Sequence, residues 1–268
     1  MNHMTPRAAN KSAAKSLLSY VNLSGLIVMA SLGFIWEIYS RTGGAHLQTV
    51  PSVTAIAEAL HDLVVNGPLL SQLAHTLAVS IVGWVLASAM GFALGILTGV
   101  WRTAWTYSMA TIDVLRSIPS ISLVSIALMI FGFSSKMELV IVVYVSQWPV
   151  LLATVSAVSE TPKSYLDSAR SLRLSRGATI LKVRIPSAFP TILVGARLAL
   201  TLSVSLAVVA EMVGNPAGLG FGLVFSQQAI QAAHAFAYLV VIGILGWGLN
   251  ALFVFVTARL FKAYAVSL

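Results

Sequence analysis

Long apolar runs, parted by short polar intervals, set the pattern of this chain. They fall at about residues 20–39, 73–101, 107–131, 137–158, 191–213 and 236–257. A helix needs about 20 apolar residues to cross about 30 Å of hydrocarbon, and each run is of that order. The runs are continuous rather than alternating in ten-residue segments, which points to helices and not to an outer-membrane barrel. The expected fold is all-α: a polytopic helical membrane protein with about six transmembrane helices. Residues 21–262 form a single transmembrane domain between an N-terminal tail, 1–20, and a C-terminal tail, 263–268. One interval, 159–190, is long and charged and is predicted to form a two-helix loop.

Details within the runs sharpen this picture. The polar lead of residues 1–20 and the apolar run after it do not make a cleaved signal peptide, because Glu37 and Arg41 follow where a small-residue cleavage site would stand. Residues 52–65 predict a short amphipathic helix at the outer interface, capped by Ser52, with Val53, Ile56, Leu60 and Leu63/Val64 at helical spacing. Gly91, Gly95 and Gly99 line one face of the second span, so another helix backbone can approach closely there. Pro119 is expected to break or kink the third span by removing a backbone donor, and Pro149 sits inside the fourth. The glycine-rich segment 214–222 follows no strand, so it is not a nucleotide-binding loop. Residues 223–235 are moderately polar and predict a short outer or re-entrant helix.

Composition agrees with the pattern. Hydrophobic residues make up 58% of the 268 and charged ones 9%, where a soluble domain carries about 25% charged. The net charge of +8 would suggest nucleic acid in a soluble protein. Here the basic residues mark topology instead, and no nucleic-acid partner is expected. With both termini inside, twelve of the sixteen Lys and Arg lie on the inner side and only Arg41 and Lys136 on the outer, while Arg116 and Arg197 lie within or near spans. That asymmetry places the termini and the 159–190 loop in the cytoplasm. The chain has no cysteine, and its five histidines are scattered without metal-ligand spacing. No metal site is expected.

The charged loop carries local signals for two short helices. Thr161-Pro162 reads as a cap followed by proline at the first helical position, and Ser164 with Asp167 as a shifted capping box. Tyr165, Ala169 and Leu172 then share one apolar face, with Leu166 beside them. Ser175 can cap a second helix from Arg176 to Arg184, which Pro186 is expected to end. Two readings stand: an amphipathic hairpin resting on the inner leaflet, or a plug that fits a groove on a cytoplasmic protein and transmits its motion.

The segment from Tyr165 to Leu200 resembles the cytoplasmic signature of bacterial ABC importer permeases. Asp167-Ser168-Ala169 falls on its Glu-Ala-Ala, Arg173 on its glycine, and Ile185-Pro186 on its closing pair. Arg173 departs from the pattern, since glycine eases the turn there. Further matches stand in the expected order: Pro51-Ser52-Val53, Gly67-Pro68-Leu69-Leu70, Gly91-Phe92-Ala93-Leu94-Gly95, Leu115 to Pro119, Ile130 to Phe133, Gly195-Ala196-Arg197, Ala210-Glu211-Met212 and Gly218-Leu219-Gly220. Together they resemble the nitrate/sulfonate/taurine branch over roughly residues 45–262.

The resemblance implies a permease in the bacterial inner membrane that pairs with a second copy of itself. It implies two cytoplasmic ATPase subunits that bind ATP and Mg, a periplasmic or lipid-anchored solute-binding protein, and surrounding lipid. The permease itself would bind no cofactor and is not an enzyme. Tyr165, Leu166, Asp167, Ala169, Arg170, Leu172, Arg173 and Leu174 would couple it to the ATPase. The branch's usual cargo is a small anion, and Arg116, Ser120, Gln147, Ser203, Ser205 and Glu211 are candidate pathway residues. Helix packing is the alternative role for the first five, and for Glu211 the expected roles are contact with the binding protein or gating of the outer mouth. A local ion pair with Asp113 is the alternative for Arg116. Other function classes are a membrane-embedded enzyme, which needs clustered catalytic groups, and an ATP-independent channel.

Overall fold

The computed structural model describes residues 23–42 and 50–260. The predicted tails, residues 20–22 of the first span and residues 43–49 lie outside these. The described elements are α1 (Leu23–Thr42), α2 (Val53–Val65), α3 (Leu69–Val100), α4 (Arg102–Ser117), α5 (Ser120–Phe131), α6 (Ser135–Ser159), α7 (Lys163–Ser171), α8 (Arg176–Thr179), a π-helical turn (Ile180–Arg184), α9 (Ile185–Gly214), α10 (Leu219–Gln228) and α11 (Ala232–Leu260). No strand occurs among the described residues, as the continuous apolar runs require. Among the described residues, four helices are long and apolar enough to cross a membrane: α3, α6, the unit Arg176–Gly214 and α11. The pair α4–α5 adds a fifth as a broken span or re-entrant loop, bent by 80°. The bend falls at Ile118-Pro119, where proline removes a donor and disfavours helical geometry in the residue before it.

α1 continues past its apolar run to Thr42, because its polar end is clasped. Glu37 pairs with Arg41 at 2.6 Å and accepts a bond from the Thr54 hydroxyl at 2.9 Å. Trp36 Nε1 donates to the Pro51 carbonyl oxygen at 3.0 Å. The clasp ties α1 to the start of α2. There Ser52 is the expected cap, its Oγ accepting from the Ala55 amide at 3.2 Å.

α3, α6 and α9 form the centre. The glycine ladder decides how closely α3 lies on α6. A Cβ on Gly91 would stand 2.5 Å from the Gln147 carbonyl oxygen, and one on Gly95 2.6 Å from Thr154 Cβ. On the other side of α6, a Cβ on Gly195 of α9 would stand 2.6 Å from Ala153 Cβ and 2.8 Å from the Pro149 carbonyl oxygen. Pro149 itself lies inside a continuous α6. A second cluster joins α2, α3, α10 and α11 through Leu63, Leu69, Leu219, Leu223 and Tyr238. Outside these clusters α1 and α11 expose wide apolar faces, with Phe34, Trp247 and Phe255 among them. Such faces suit lipid or another protein.

Two expected boundaries shift for physical reasons. Pro186 does not end the second loop helix, and the fifth span begins at Ile185 rather than near residue 191. The chain stays helical from Arg176 to Gly214. The π turn makes this possible: the Ile185 amide reaches back to the Ile180 carbonyl, and this wider turn accommodates the proline ring that would otherwise clash with a carbonyl four residues earlier. Likewise, the predicted short helix at 223–235 is α10, which ends at Gln228, while α11 begins at Ala232.

Candidate functional site

The charged loop takes shape around α7. Its expected capping differs: the Thr161 hydroxyl donates to the Val158 carbonyl at 3.0 Å and so finishes α6, and no side chain caps α7. Asp167 and Arg170 pair at 3.1 Å along the surface, a contact of small energy at such exposure. The helix ends in a Schellman motif. The Leu174 amide bonds the Ala169 carbonyl at 3.0 Å and the Arg173 amide that of Arg170 at 2.9 Å. Arg173 stands at φ 51°, the left-handed position that favours glycine. The turn geometry is therefore retained with arginine in place. Ser175 caps α8, accepting from the Ala178 amide at 3.3 Å.

The predicted apolar face is split by this arrangement. Tyr165 and Leu172 are exposed, Leu172 to 72%, whereas Ala169 is buried at 2%. Ala169 is therefore an internal packing residue of the loop and not part of an exposed face. Leu166 and Leu174 are half-buried, and Asp167, Arg170 and Arg173 are exposed. Ala169, Tyr165 and Leu172 border a cleft of about 410 Å³ closed on the far side by Lys182, Val183 and Pro186. A second recess of about 510 Å³ lies between the loop and the end of α3, with Trp101, Arg170, Arg176 and Arg184 on its walls.

The opposite end of the bundle holds a buried polar cluster. α6 runs toward the loop and α9 away from it, so Glu138 in the first turn of α6 and Glu211 in the last turn of α9 meet at the end remote from α7. From Ile185 to Glu211 the helix rises about 39 Å, at about 1.5 Å per residue. Both carboxylates are 0% exposed. Glu211 Oε2 accepts from the Gly220 amide at 2.9 Å and the Thr76 hydroxyl at 3.0 Å. Thr76 Oγ1 in turn accepts from the Leu219 amide at 3.0 Å. The Gly218-Leu219-Gly220 turn thus wraps the carboxyl group, and a Cβ on Gly218 would collide with it. Close backbone approach is what the glycine-rich segment supplies. His75 Nε2 lies 2.9 Å from Glu138 Oε2, and the Asn215 amide lies 3.4 Å from the same nitrogen. Beside them Tyr238 donates to Gln72 Oε1 at 2.7 Å.

The other predicted pathway residues separate into two groups. Arg116 is partly exposed and pairs with Asp113 at 2.9 Å, the local pair its spacing suggests. Ser120 begins α5, half-buried, and Ser205 is exposed, its hydroxyl bonded to the Thr201 carbonyl. Gln147 and Ser203 are buried. The Ser203 hydroxyl bonds the Leu200 carbonyl at 2.7 Å, whereas Gln147 Oε1 has no partner among the described residues. Glu211 is joined by two residues that sequence reasoning left unassigned. His75 is one of the five scattered histidines, and Glu138 carries no motif of its own. Their signal was weak because they lie 63 positions apart and only tertiary packing joins them. Arg197 was placed near a span but given no role. Its Nε donates to Asn250 Oδ1 at 2.8 Å, linking α9 to α11 through a cation inside a transmembrane unit.

The chain is similar to known transport proteins along most of its length. Residues 91–266 match the family described as the binding-protein-dependent transport system inner membrane component. The nitrate import permease NrtB of Leptolyngbya laminosa is 28% identical over 266 residues, covering 95% of each chain. The putative aliphatic sulfonates transport permease SsuC of Bacillus subtilis is 25% identical, over 84% of this chain and 81% of that one. Among solved structures, the MetNI methionine ABC transporter in an inward-facing conformation aligns with a TM-score of 0.61 at 22% identity, over 71% of this chain and 93% of that one. That likeness supports the helical arrangement. The family match covers well over half of the chain, and the chain belongs to the binding-protein-dependent inner membrane components, as an ABC importer permease subunit of the nitrate/sulfonate branch.

Proposed function

We propose that this permease forms the translocation pathway for a small anion, delivered by a solute-binding protein and driven by two cytoplasmic ATPase subunits. The observation that carries the reading is α7: a short exposed helix between two spans, ended by a Schellman motif and presenting Tyr165 and Leu172 outward. An exposed apolar pair on a short helix suits insertion into a protein groove. The π turn joins the loop to α9 without a flexible break, so a push on α7 is passed to the helix that carries Glu211. ATP and Mg would be bound by the partner ATPases and no cofactor by this chain.

A second copy of the chain would complete the pathway, and the exposed apolar faces support such pairing. The positive-inside count supports α7 and both termini lying in the cytoplasm, with the chain in a bacterial inner membrane. The polar cluster then lies toward the periplasm, where a periplasmic or lipid-anchored binding protein would dock. Arg116 and Ser205, exposed in the single chain, would face the pathway between two copies. Gln147, Ser203 and Glu211 would act from within each copy, and Ser120 at the break in the α4–α5 pair.

Co-expression with an ABC ATPase subunit of a nitrate/sulfonate-type importer tests the coupling. Wild type is expected to retain the ATPase through purification, and Leu172→Glu to lose it while keeping its own thermal midpoint. Equal retention by both would overturn the coupling role. Proteoliposomes bearing the complex and binding protein are expected to accumulate nitrate or an alkyl sulfonate only with ATP. Uptake without ATP would instead favour a channel.

A further inference from the structure

We propose that His75, Glu138 and Glu211 bind one divalent transition-metal ion, which ties α3, α6 and α9 together at the end of the bundle remote from α7. One donor atom from each of the three lies within 4.8 Å of the other two. Both carboxylates are 0% exposed. Each uses Oε2 for its hydrogen bonds within the protein, Glu138 with His75 and Glu211 with Gly220 and Thr76. Each keeps Oε1 buried without a hydrogen-bond partner among the described residues. A buried polar atom without a partner is costly, and an ionised one far more so. Among the described residues no Lys or Arg pairs with either carboxylate. A divalent cation held between the three side chains would balance both carboxylate charges at once.

The donor set selects the class of ion. One imidazole nitrogen with two carboxylate oxygens suits Zn²⁺ or Mn²⁺, whereas Mg²⁺ and Ca²⁺ favour sites built from oxygen alone. Ligand atoms about 2.0–2.2 Å from a metal stand roughly 3–3.5 Å from one another. His75 and Glu138 already meet at 2.9 Å. The remaining closure falls to Glu211, whose carboxyl is already oriented by the Gly218–Gly220 turn. The Asn215 side chain, 3.4 Å from His75 Nε2, offers its carbonyl oxygen as a further ligand after a half-turn of the amide. His75 retains 20% side-chain exposure, which gives an ion a way in.

The test needs no transport and so is separable from the proposed function. The full chain is purified in detergent, stripped with EDTA, and dialysed against Zn²⁺ or Mn²⁺. Metal content is read by elemental mass spectrometry and stability by the thermal midpoint. Wild type is expected to hold one ion per chain and to gain several degrees on loading. Glu138→Gln and His75→Ala are each expected to lose both the ion and the gain, and the stripped variants to keep a midpoint near that of stripped wild type. If a variant fails to fold, wild type alone still decides through its stoichiometry and midpoint. Wild type taking up no ion would overturn the proposal. Uptake equal to that of Glu138→Gln would overturn it too. So would a rise in midpoint in Glu138→Gln without metal uptake by wild type, which would mean that the two carboxyls share a proton instead.

Discussion

Replacing Arg173 by glycine is expected to make the end of α7 harder to open. Arg173 stands at φ 51°, at the left-handed residue of the Schellman motif that ends α7. An L-residue in that conformation is strained by roughly 1–2 kcal/mol, which glycine avoids. Glycine in turn raises the entropy of the unfolded chain, which costs about 0.4–1 kcal/mol. The difference favours glycine by about 0.5–1 kcal/mol, a two- to fivefold change in a local opening equilibrium. Because the end of α7 is exposed, the change should be read in local opening and not in global unfolding. Hydrogen exchange of the Leu174 amide, bonded to the Ala169 carbonyl at 3.0 Å, is the direct assay. Arg173→Ala is the control, since it removes the guanidinium but keeps the Cβ. Exchange in Arg173→Gly is expected to be two- to fivefold slower than in Arg173→Ala. Equal or faster exchange in the glycine variant would refute the strain argument.

Gly95→Ala should lower stability by about 1–3 kcal/mol, because the new Cβ meets Thr154 Cβ at 2.6 Å on a packed helix face. Gly243→Ala, where a Cβ meets nothing within 4 Å, should stay within about 0.5 kcal/mol of wild type. Paired melts of the two variants in detergent check the contrast. Near the start of α11, His234 Nε2 lies 3.6 Å from Asp62 of α2. The Asn66 amide, and then His234, hold the Asp62 carboxyl below its ordinary 3.8. A depressed carboxyl contributes stability above its unfolded value and loses it as pH falls through the folded one. The wild-type midpoint should therefore fall more than that of Asp62→Asn between about pH 5 and pH 3; parallel falls would show that the pair contributes nothing.

Much of this protein is legible along the chain because its signals are local. Apolar runs of membrane length, proline at 119, the Ser52 and Ser175 caps and the Gly91–Gly95–Gly99 spacing each act within a few residues. The corresponding helices, break, caps and close packing are present. The same local logic failed where a longer-range geometry intervened. Pro186 is a reliable helix stop only when the preceding helix is regular, and the π turn at Ile180–Arg184 changes the bonding beneath it. Ala169 has the spacing of an exposed apolar face, but Val183 and Pro186 fold back across the neighbouring cleft, and it is buried.

The sequence by itself determined the class of protein and the order of its apolar and charged segments, because hydropathy acts on each segment separately. It also marked Glu211 and the Gly218-Leu219-Gly220 turn as features worth explaining. Only the tertiary structure decided that this turn closes around the Glu211 carboxyl. Only there do His75 and Glu138, from α3 and α6, come to lie beside it. Those residues are joined by helix packing across the bundle, and helix packing depends on which faces meet, a quantity that no window along a single chain contains.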